Sequence, residues 1–384
     1  MKIWILYSSR KGGHRYPSLA LKEYIRENTS HEVFVINLLD YAPVASVFDT
    51  MGRIGDLKLR SVWKMGYRRL QQKDYVFIGA YRILTSIIFA WDDIKGKLTK
   101  KYGSPDIIVS IQPEVNAFSH CLSKWFKAPI FSVIIDLALH ALWLHDEIIH
   151  YFLPHESMVQ EMLHYNVPSD KFTVTGMPLR KGFSQIINIP PEKLREEIGI
   201  SPDAKVVLLM GGLLGTMVDF KKVIKNVLER VPFAEILAVF GKNEKGRREA
   251  EEVFRGRKNV HIFGLVEEIE KMMWMSDVVV SKPGSVTMAE SLSLGKPMVV
   301  ITPLAGSMQE IRFAKFLEEK GAGIWIKRAE EAGDALRYIL SSHSTIENMK
   351  ENAKALGRLS LNGCRNIITT IEELLKIKTG VLHI

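Results

Sequence analysis

Val278-Val279-Val280-Ser281-Lys282-Pro283-Gly284-Ser285-Val286-Thr287-Met288-Ala289-Glu290 packs a strand, a tight turn and a helix start into one short stretch. The valine run has no polar alternation, as expected of a strand buried on both faces of a parallel sheet. Pro283-Gly284 supplies the turn, Ser285 is a suitable N-cap, and Val286 to Gly295 is expected to be helical. Gly295-Lys296-Pro297 then leads directly into a second apolar run, Met298–Ile301.

Working outward, the same alternation fills the chain. Ile3–Tyr7, Val33–Asn37, Ile107–Ile111, Ile130–Ile135 and Phe172–Thr175 read as one series of strands separated by helical stretches. Val206–Met210, Glu235–Phe240, Val260–Phe263, Val278–Val280 and Met298–Ile301 form another. Such alternation specifies parallel sheets with helices on both faces, so the expected class is α/β, with two facing doubly wound Rossmann-like domains and a cleft between them. Pro178, Pro190, Pro191 and Pro202 mark the break between the series. The expected division is 1–178, 179–358 and a C-terminal helix over 359–384 that returns to the first domain.

The composition fits this reading: 384 residues, 47% hydrophobic and 25% charged, enough for two folded cores. Two cysteines, Cys121 and Cys364, without CxxC or Cys/His spacing, argue against a disulfide scaffold or zinc site and fit a reducing compartment. Residues 51–101 hold twelve Lys and Arg against four Asp, nearly all of the chain's net charge of +9, interleaved with Trp, Tyr, Ile and Leu. That mixture suits an anionic lipid surface, with nucleic acid as the competing partner and a solvated helical face as the plain structural reading. The most apolar stretch, Tyr75 to Trp91, carries Arg82 and ends on Asp92-Asp93, which disfavours a membrane span.

Ligands of open parallel sheets bind beyond the strands' carboxyl ends, so the strand-to-helix loops locate the candidate site. After the first strand, Gly12-Gly13-His14 opens a helix. The glycines allow close backbone approach, and His14 is a candidate general base, or merely a capping or solvated side chain. Neither GxGxxG nor GxxxxGK[ST] is present there. Gly211-Gly212 follows the strand Val206–Met210 and is a candidate phosphate cradle. At the Ser285 helix start, backbone amides with the Ser285 and Thr287 hydroxyls suit a diphosphate, and Glu290 one turn on suits a ribose. The competing reading is a capped helix with Glu290 solvated. Asp136, His140 and Trp143 follow the strand Ile130–Ile135, where a carboxylate can raise an imidazole's basicity. His140, His145 and His150 recur every five residues, which is no metal-ligand spacing.

In order along the chain, GGHR at 12–15, DLALHALW at 136–143, TGMPLR at 175–180, GGLLG at 211–215, FGLVEEIEKMMWMSD at 263–277 and SKPGSVTMAESLSLGKPMV at 281–299 resemble the GT-B glycosyltransferases that form glycolipids. These are the monogalactosyldiacylglycerol synthases and processive diacylglycerol glucosyltransferases, with a more distant similarity to the N-acetylglucosaminyltransferase of the peptidoglycan lipid carrier. The resemblance implies an inverting transfer of a hexose from a UDP-sugar to a lipid such as diacylglycerol, with no metal or other cofactor, by an enzyme peripheral to the inner face of the cell membrane. It implies His14 as base with Asp136 as partner, Arg180 on the diphosphate, Gly264, Leu265 and Val266 around the uracil, Glu290 on the ribose and Gln309 and Glu310 on the donor sugar. Gly12, Gly13, Gly211, Gly212, Gly284, Ser285, Val286 and Thr287 complete the donor side; His140 and Trp143 lie on the acceptor side. Leu213 stands where the family has a small residue, and Phe313 where it has Asn after a Gly-Gln-Glu. The alternatives are a UDP-sugar epimerase, which uses the same fold and needs no acceptor, and a GT-B transferase acting on a different, lipid-linked or soluble acceptor. A nucleic-acid partner is not expected, because it leaves the diphosphate loops unexplained.

Overall fold

The computed structural model describes residues 1–9, 12–42, 79–80, 82–83, 87, 93–213, 215, 219–302 and 308–378. Most of the basic segment 51–101 therefore lies outside the described residues, as do Leu214, Thr216 and 303–307. The chain divides into two compact units, Met1–Arg180 with Asn362–Ile384, and Lys181–Leu361.

The first unit is built on a six-stranded sheet of β1 (Lys2–Tyr7), β2 (Glu32–Asn37), β3 (Ile107–Ser110), β4 (Ile130–Val133), β5 (Ile148–Leu153) and β6 (Phe172–Val174), in the order β2-β1-β3-β4-β5-β6. Every pairing is parallel. The apolar runs are the reason: β1, β3 and β4 are buried on both faces, which only helices on both sides of the sheet can provide. Strand β5 escaped the sequence reading because His150 and Tyr151 break its apolar run. The sheet sequesters both, with His150 Nε2 2.8 Å from the Thr173 hydroxyl in β6.

Trp4 anchors this unit's core, fully buried with its ring edge-on to Phe126 at 5.0 Å. The ends flanking 43–92 are stapled: the Tyr41 and Tyr102 hydroxyls lie 2.7 Å apart, and Lys101 Nζ donates to Tyr41 Oη at 2.8 Å. The helix Gly363–Lys378 closes the same unit. Gly363 lets it approach the chain so closely that a Cβ there would lie 2.2 Å from the Met177 carbonyl oxygen. Asn366 Nδ2 donates to the Thr175 carbonyl at 2.9 Å, and burial pushes the Cys364 thiol up to about 12, so it is inert at neutral pH.

The second unit repeats the architecture with β7 (Lys205–Met210), β8 (Ala234–Val239), β9 (Val260–Phe263), β10 (Val278–Ser281), β11 (Met298–Ile301) and β12 (Gly323–Ile326), ordered β12-β11-β10-β7-β8-β9 and parallel throughout. Strand β12 was also unread, because Gly323 and the following Lys327-Arg328 disguise its short apolar core. At the amino ends of these strands a buried ion pair ties the unit together. Arg195 donates to the Met275, Pro202 and Ala204 carbonyls and lies 3.3 Å from Asp277 Oδ2, which also accepts the Val206 amide.

Lys296 is buried near this cluster with its ammonium 4.6 Å from the Trp274 ring centroid. Burial pulls its pKa down to about 8, against the upward pull of Asp277. Charged Lys296 therefore costs the folded state most below that value. Between about 8 and the free-lysine value the unfolded chain holds the extra proton, and stability rises with pH. Denaturant unfolding of wild type and Lys296→Met should show wild type gaining, relative to the variant, on the order of 3 kcal/mol from pH 7 to pH 10.5. A difference independent of pH would contradict the buried charge.

Candidate functional site

In each sheet the chain reverses its direction of growth once, and the loops flanking that point diverge to leave a crevice. In the first unit the switch lies between β1 and β3, in the second between β7 and β10.

At the first switch the helix Gly12–Asn28 starts with Gly12, Gly13 and His14 in its opening turn. The two residues after β1 are pinned by neighbours: the Ser8 amide donates to Gln112 Oε1 at 2.7 Å, Gln112 Nε2 donates back to the Ser8 carbonyl at 2.9 Å, and the Ser9 amide donates to Asn37 Oδ1 at 3.2 Å. Gln112 was not singled out in the sequence and Asn37 was read only as the end of a strand, although each closes an apolar run with a side-chain amide. His14 is half-buried, and its Nδ1 lies 2.8 Å from the Ile111 carbonyl at the end of β3. A carbonyl only accepts, so Nδ1 carries a proton, and the neutral form of the ring has its lone pair on Nε2, the form a general base requires.

Asp136 follows β4, is 7% exposed, and accepts from the Trp143 indole at 3.3 Å. Trp143 is fully buried and His140 nearly so, their rings 6.3 Å apart. Arg180 lies with its guanidinium carbon 5.8 Å from the centroid of Tyr16, in the helix that His14 opens.

At the second switch, the loop after β10 differs from the expectation in its cap. Gly284, not Ser285, is the N-cap; no side chain caps the helix, which runs Ser285–Ser293 instead of 286–295. Ser285, Val286 and Thr287 form the first turn and are half-exposed. The helix start thus offers backbone amides to a ligand in place of an internal cap. Among the described residues, a Cβ on Gly284 would meet only the Lys282 side chain, at 3.9 Å. Glu290 is 8% exposed, against the solvated alternative. Lys282 lies 3.7 Å from Glu310, tying this loop to the helix Met308–Glu319 on which Gln309 also sits. Phe313 is buried in the core of that helix, which accounts for an apolar residue where the family has Asn.

The loop after β7 owes its glycines to backbone packing. Gly212, Gly215 and Gly241 all have positive φ. A Cβ at Gly215 would lie 2.0 Å from the Phe240 carbonyl, one at Gly241 2.5 Å from the Gly212 carbonyl, and Asn243 Nδ2 donates to Gly215 at 3.1 Å. Gly211 is buried against Phe220, whereas a Cβ at Gly212 would meet none of the described residues within 4 Å. After β9, Gly264 and Val266 are half-exposed and Leu265 is exposed.

These features match known proteins over nearly the whole chain. Residues 14–179 match the monogalactosyldiacylglycerol (MGDG) synthase model and residues 206–371 the glycosyltransferase family 28 C-terminal domain. The chain belongs to the GT-B glycosyltransferases. It is 28% identical over 278 residues to the processive diacylglycerol beta-glucosyltransferase of Bacillus licheniformis, covering 72% of this chain and 70% of that one. Among solved structures it is similar to a UDP-GlcNAc 2-epimerase from Neisseria meningitidis bound to UDP-GlcNAc (TM-score 0.60, 16% identity, 97% of this chain and 100% of that one). It is also similar to MurG of Acinetobacter baumannii (TM-score 0.59, 12% identity, 97% and 99%). At such identities the structural likeness establishes the fold and not the reaction.

Because Gly215 has no room and a positive φ, Gly215→Ala should destabilise the chain by about 2 kcal/mol or more in denaturant unfolding. Gly284→Ala, with no close contact among the described residues and a negative φ, should stay within about 0.5 kcal/mol of wild type. Equal losses would contradict the packing account of the two loops.

Proposed function

We propose that this glycosyltransferase moves a hexose from a UDP-sugar to the hydroxyl of a diacylglycerol-type lipid with inversion at the sugar carbon. The observation that carries the reading is the pairing of domains, an MGDG synthase domain holding His14 with a family 28 C-terminal domain holding the Ser285 helix start.

In this reading Nε2 of His14 takes the acceptor hydroxyl proton as the oxygen attacks the anomeric carbon. The new C–O bond forms as the bond from that carbon to the diphosphate breaks, its electron pair leaving with UDP. Asp136 is assigned to support the charge that grows on the imidazole. No metal is required: the leaving charge is assigned to Arg180 and to the helix start at Ser285–Thr287 with Gly284, where free amides and the helix dipole favour an anion. Gly12, Gly13, Gly211 and Gly212 are assigned to close backbone approach, Gly264–Val266 to the uracil, Glu290 to the ribose, and Gln309 and Glu310 to the sugar. His140 and Trp143 are assigned to the acceptor.

No helix among the described residues is long and apolar enough to cross a membrane. The basic, aromatic-rich segment 51–101 supports a peripheral seat on an anionic membrane surface, at its cytoplasmic face. The epimerase alternative shares the fold but leaves the lipid-enzyme match of residues 14–179 unused.

Purified protein given UDP-glucose, UDP-galactose or UDP-N-acetylglucosamine with diacylglycerol or lipid-linked acceptors should release UDP and a glycosylated lipid, read by mass spectrometry. Epimerised UDP-sugar without any glycolipid would contradict the reading. His14→Ala should lower kcat by on the order of 10²–10⁴, and Glu290→Ala should raise the donor KM about tenfold with a smaller change in kcat. Full activity in either variant would remove that residue from the site.

A further inference from the structure

The chain leaves β1 and β3 side by side, and one side chain ties the two exits together. Gln112 lies two residues past β3 and is 6% exposed. Its Oε1 accepts from the Ser8 amide at 2.7 Å, and its Nε2 donates to the Ser8 carbonyl at 2.9 Å, across 104 positions of sequence. A side-chain amide carries an acceptor and a donor side by side, so it can meet both backbone groups of one residue at once. A carboxylate of the same shape has no donor for the Ser8 carbonyl.

The backbone at this corner is fixed as well. The Ile111 amide donates to the Leu6 carbonyl of β1 at 3.0 Å. Pro113 restricts the residue before it to extended backbone, and Gln112 has φ −152° and ψ 140°. The Gln112 carbonyl accepts from the Val115 and Asn116 amides, each at 3.1 Å, and from the Ser110 hydroxyl at 3.2 Å. Between these anchors lies the Ile111 carbonyl, the group 2.8 Å from His14 Nδ1.

A neutral imidazole can carry its proton on either nitrogen, and the hydrogen bond made at one of them decides which is basic. At His14 that bond is made to a carbonyl whose direction depends on the joint between β1 and β3.

We infer that Gln112 is a positioning residue for His14: by clamping Ser8 to the end of β3 it holds the Ile111 carbonyl on Nδ1 and leaves Nε2 to take the proton. The inference rests on the reading of His14 as the base. A glutamine that only stitches the sheet together would change stability and leave the imidazole proton where it is.

NMR of the histidine ring nitrogens separates these two roles in wild type, Gln112→Ala and Gln112→Glu, at a pH high enough to keep the His14 ring neutral in each. His14→Gln identifies the signal by removing it. Wild type should carry the His14 proton on Nδ1 alone, and both Gln112 variants should show a mixture of the two tautomers. A proton still fixed on Nδ1 in the variants, or absent from Nδ1 in wild type, would overturn the inference. Should Gln112→Ala fail to fold, judged by circular dichroism, Gln112→Glu keeps the shape and the acceptor without the donor and carries the same expectation.

In transfer assays kcat should fall about tenfold in the Gln112 variants while the UDP-sugar KM stays within about twofold. An unchanged kcat, or a fall in kcat with the tautomer unmoved, would also overturn the inference. If His14→Gln keeps full activity, the reading of His14 as base fails, and the tautomer in the variants still decides whether Gln112 sets the ring.

Discussion

Parallel pairing of every strand constrains this molecule more than any other feature. A parallel strand must be followed by a crossover, and the crossovers cover both sheet faces, so ligand-facing loops emerge together at the carboxyl edge. Within that edge only the switch point leaves room for a ligand. The loops found there are those of His14 in one unit and of Gly211 and Ser285 in the other. The hydrogen bond between His14 Nδ1 and the Ile111 carbonyl uses the same geometry: Ile111 directly follows β3, the neighbour of the strand β1 that launches the His14 helix, and its carbonyl fixes the side of the ring that carries a proton.

In the proposed reaction the two units serve opposite electrostatic ends at this edge. In the first, an imidazole with Nδ1 on a backbone carbonyl and a buried carboxylate suit the removal of a proton. In the second, an uncapped helix start and Lys282 favour negative charge, as a departing diphosphate requires. The absence of a side-chain cap at Gly284 makes sense in these terms. A serine cap would satisfy the amides internally, whereas glycine leaves them to a ligand and removes the side chain that would obstruct it.

Much of this was legible in the sequence because parallel strands advertise themselves. Val206–Met210 and Val278–Val280 are apolar throughout, and the glycine-bearing turns after them locate the carboxyl edge. Strands β5 and β12 were missed, since His150-Tyr151 interrupts the apolar run of the first and Gly323 shortens that of the second. The cap at Gly284 was misplaced by one residue, because serine's capping preference competes with backbone geometry that only coordinates reveal. The Phe240 carbonyl against Gly215 was unreadable for a different reason: it depends on β8 lying beside β7, a long-range fact with no local signature. The clamp of Gln112 on Ser8 is of the same kind, joining residues 104 positions apart.

The account stands on direct displacement at the sugar carbon by a lipid hydroxyl deprotonated within the protein. The anomeric configuration of the product tests that most directly, read from the proton coupling at the sugar's first carbon by NMR. From an α-linked UDP-hexose and diacylglycerol the account predicts a β-linked glycolipid and an equal amount of UDP. An α-linked glycolipid, or a changed sugar still attached to UDP, would contradict it.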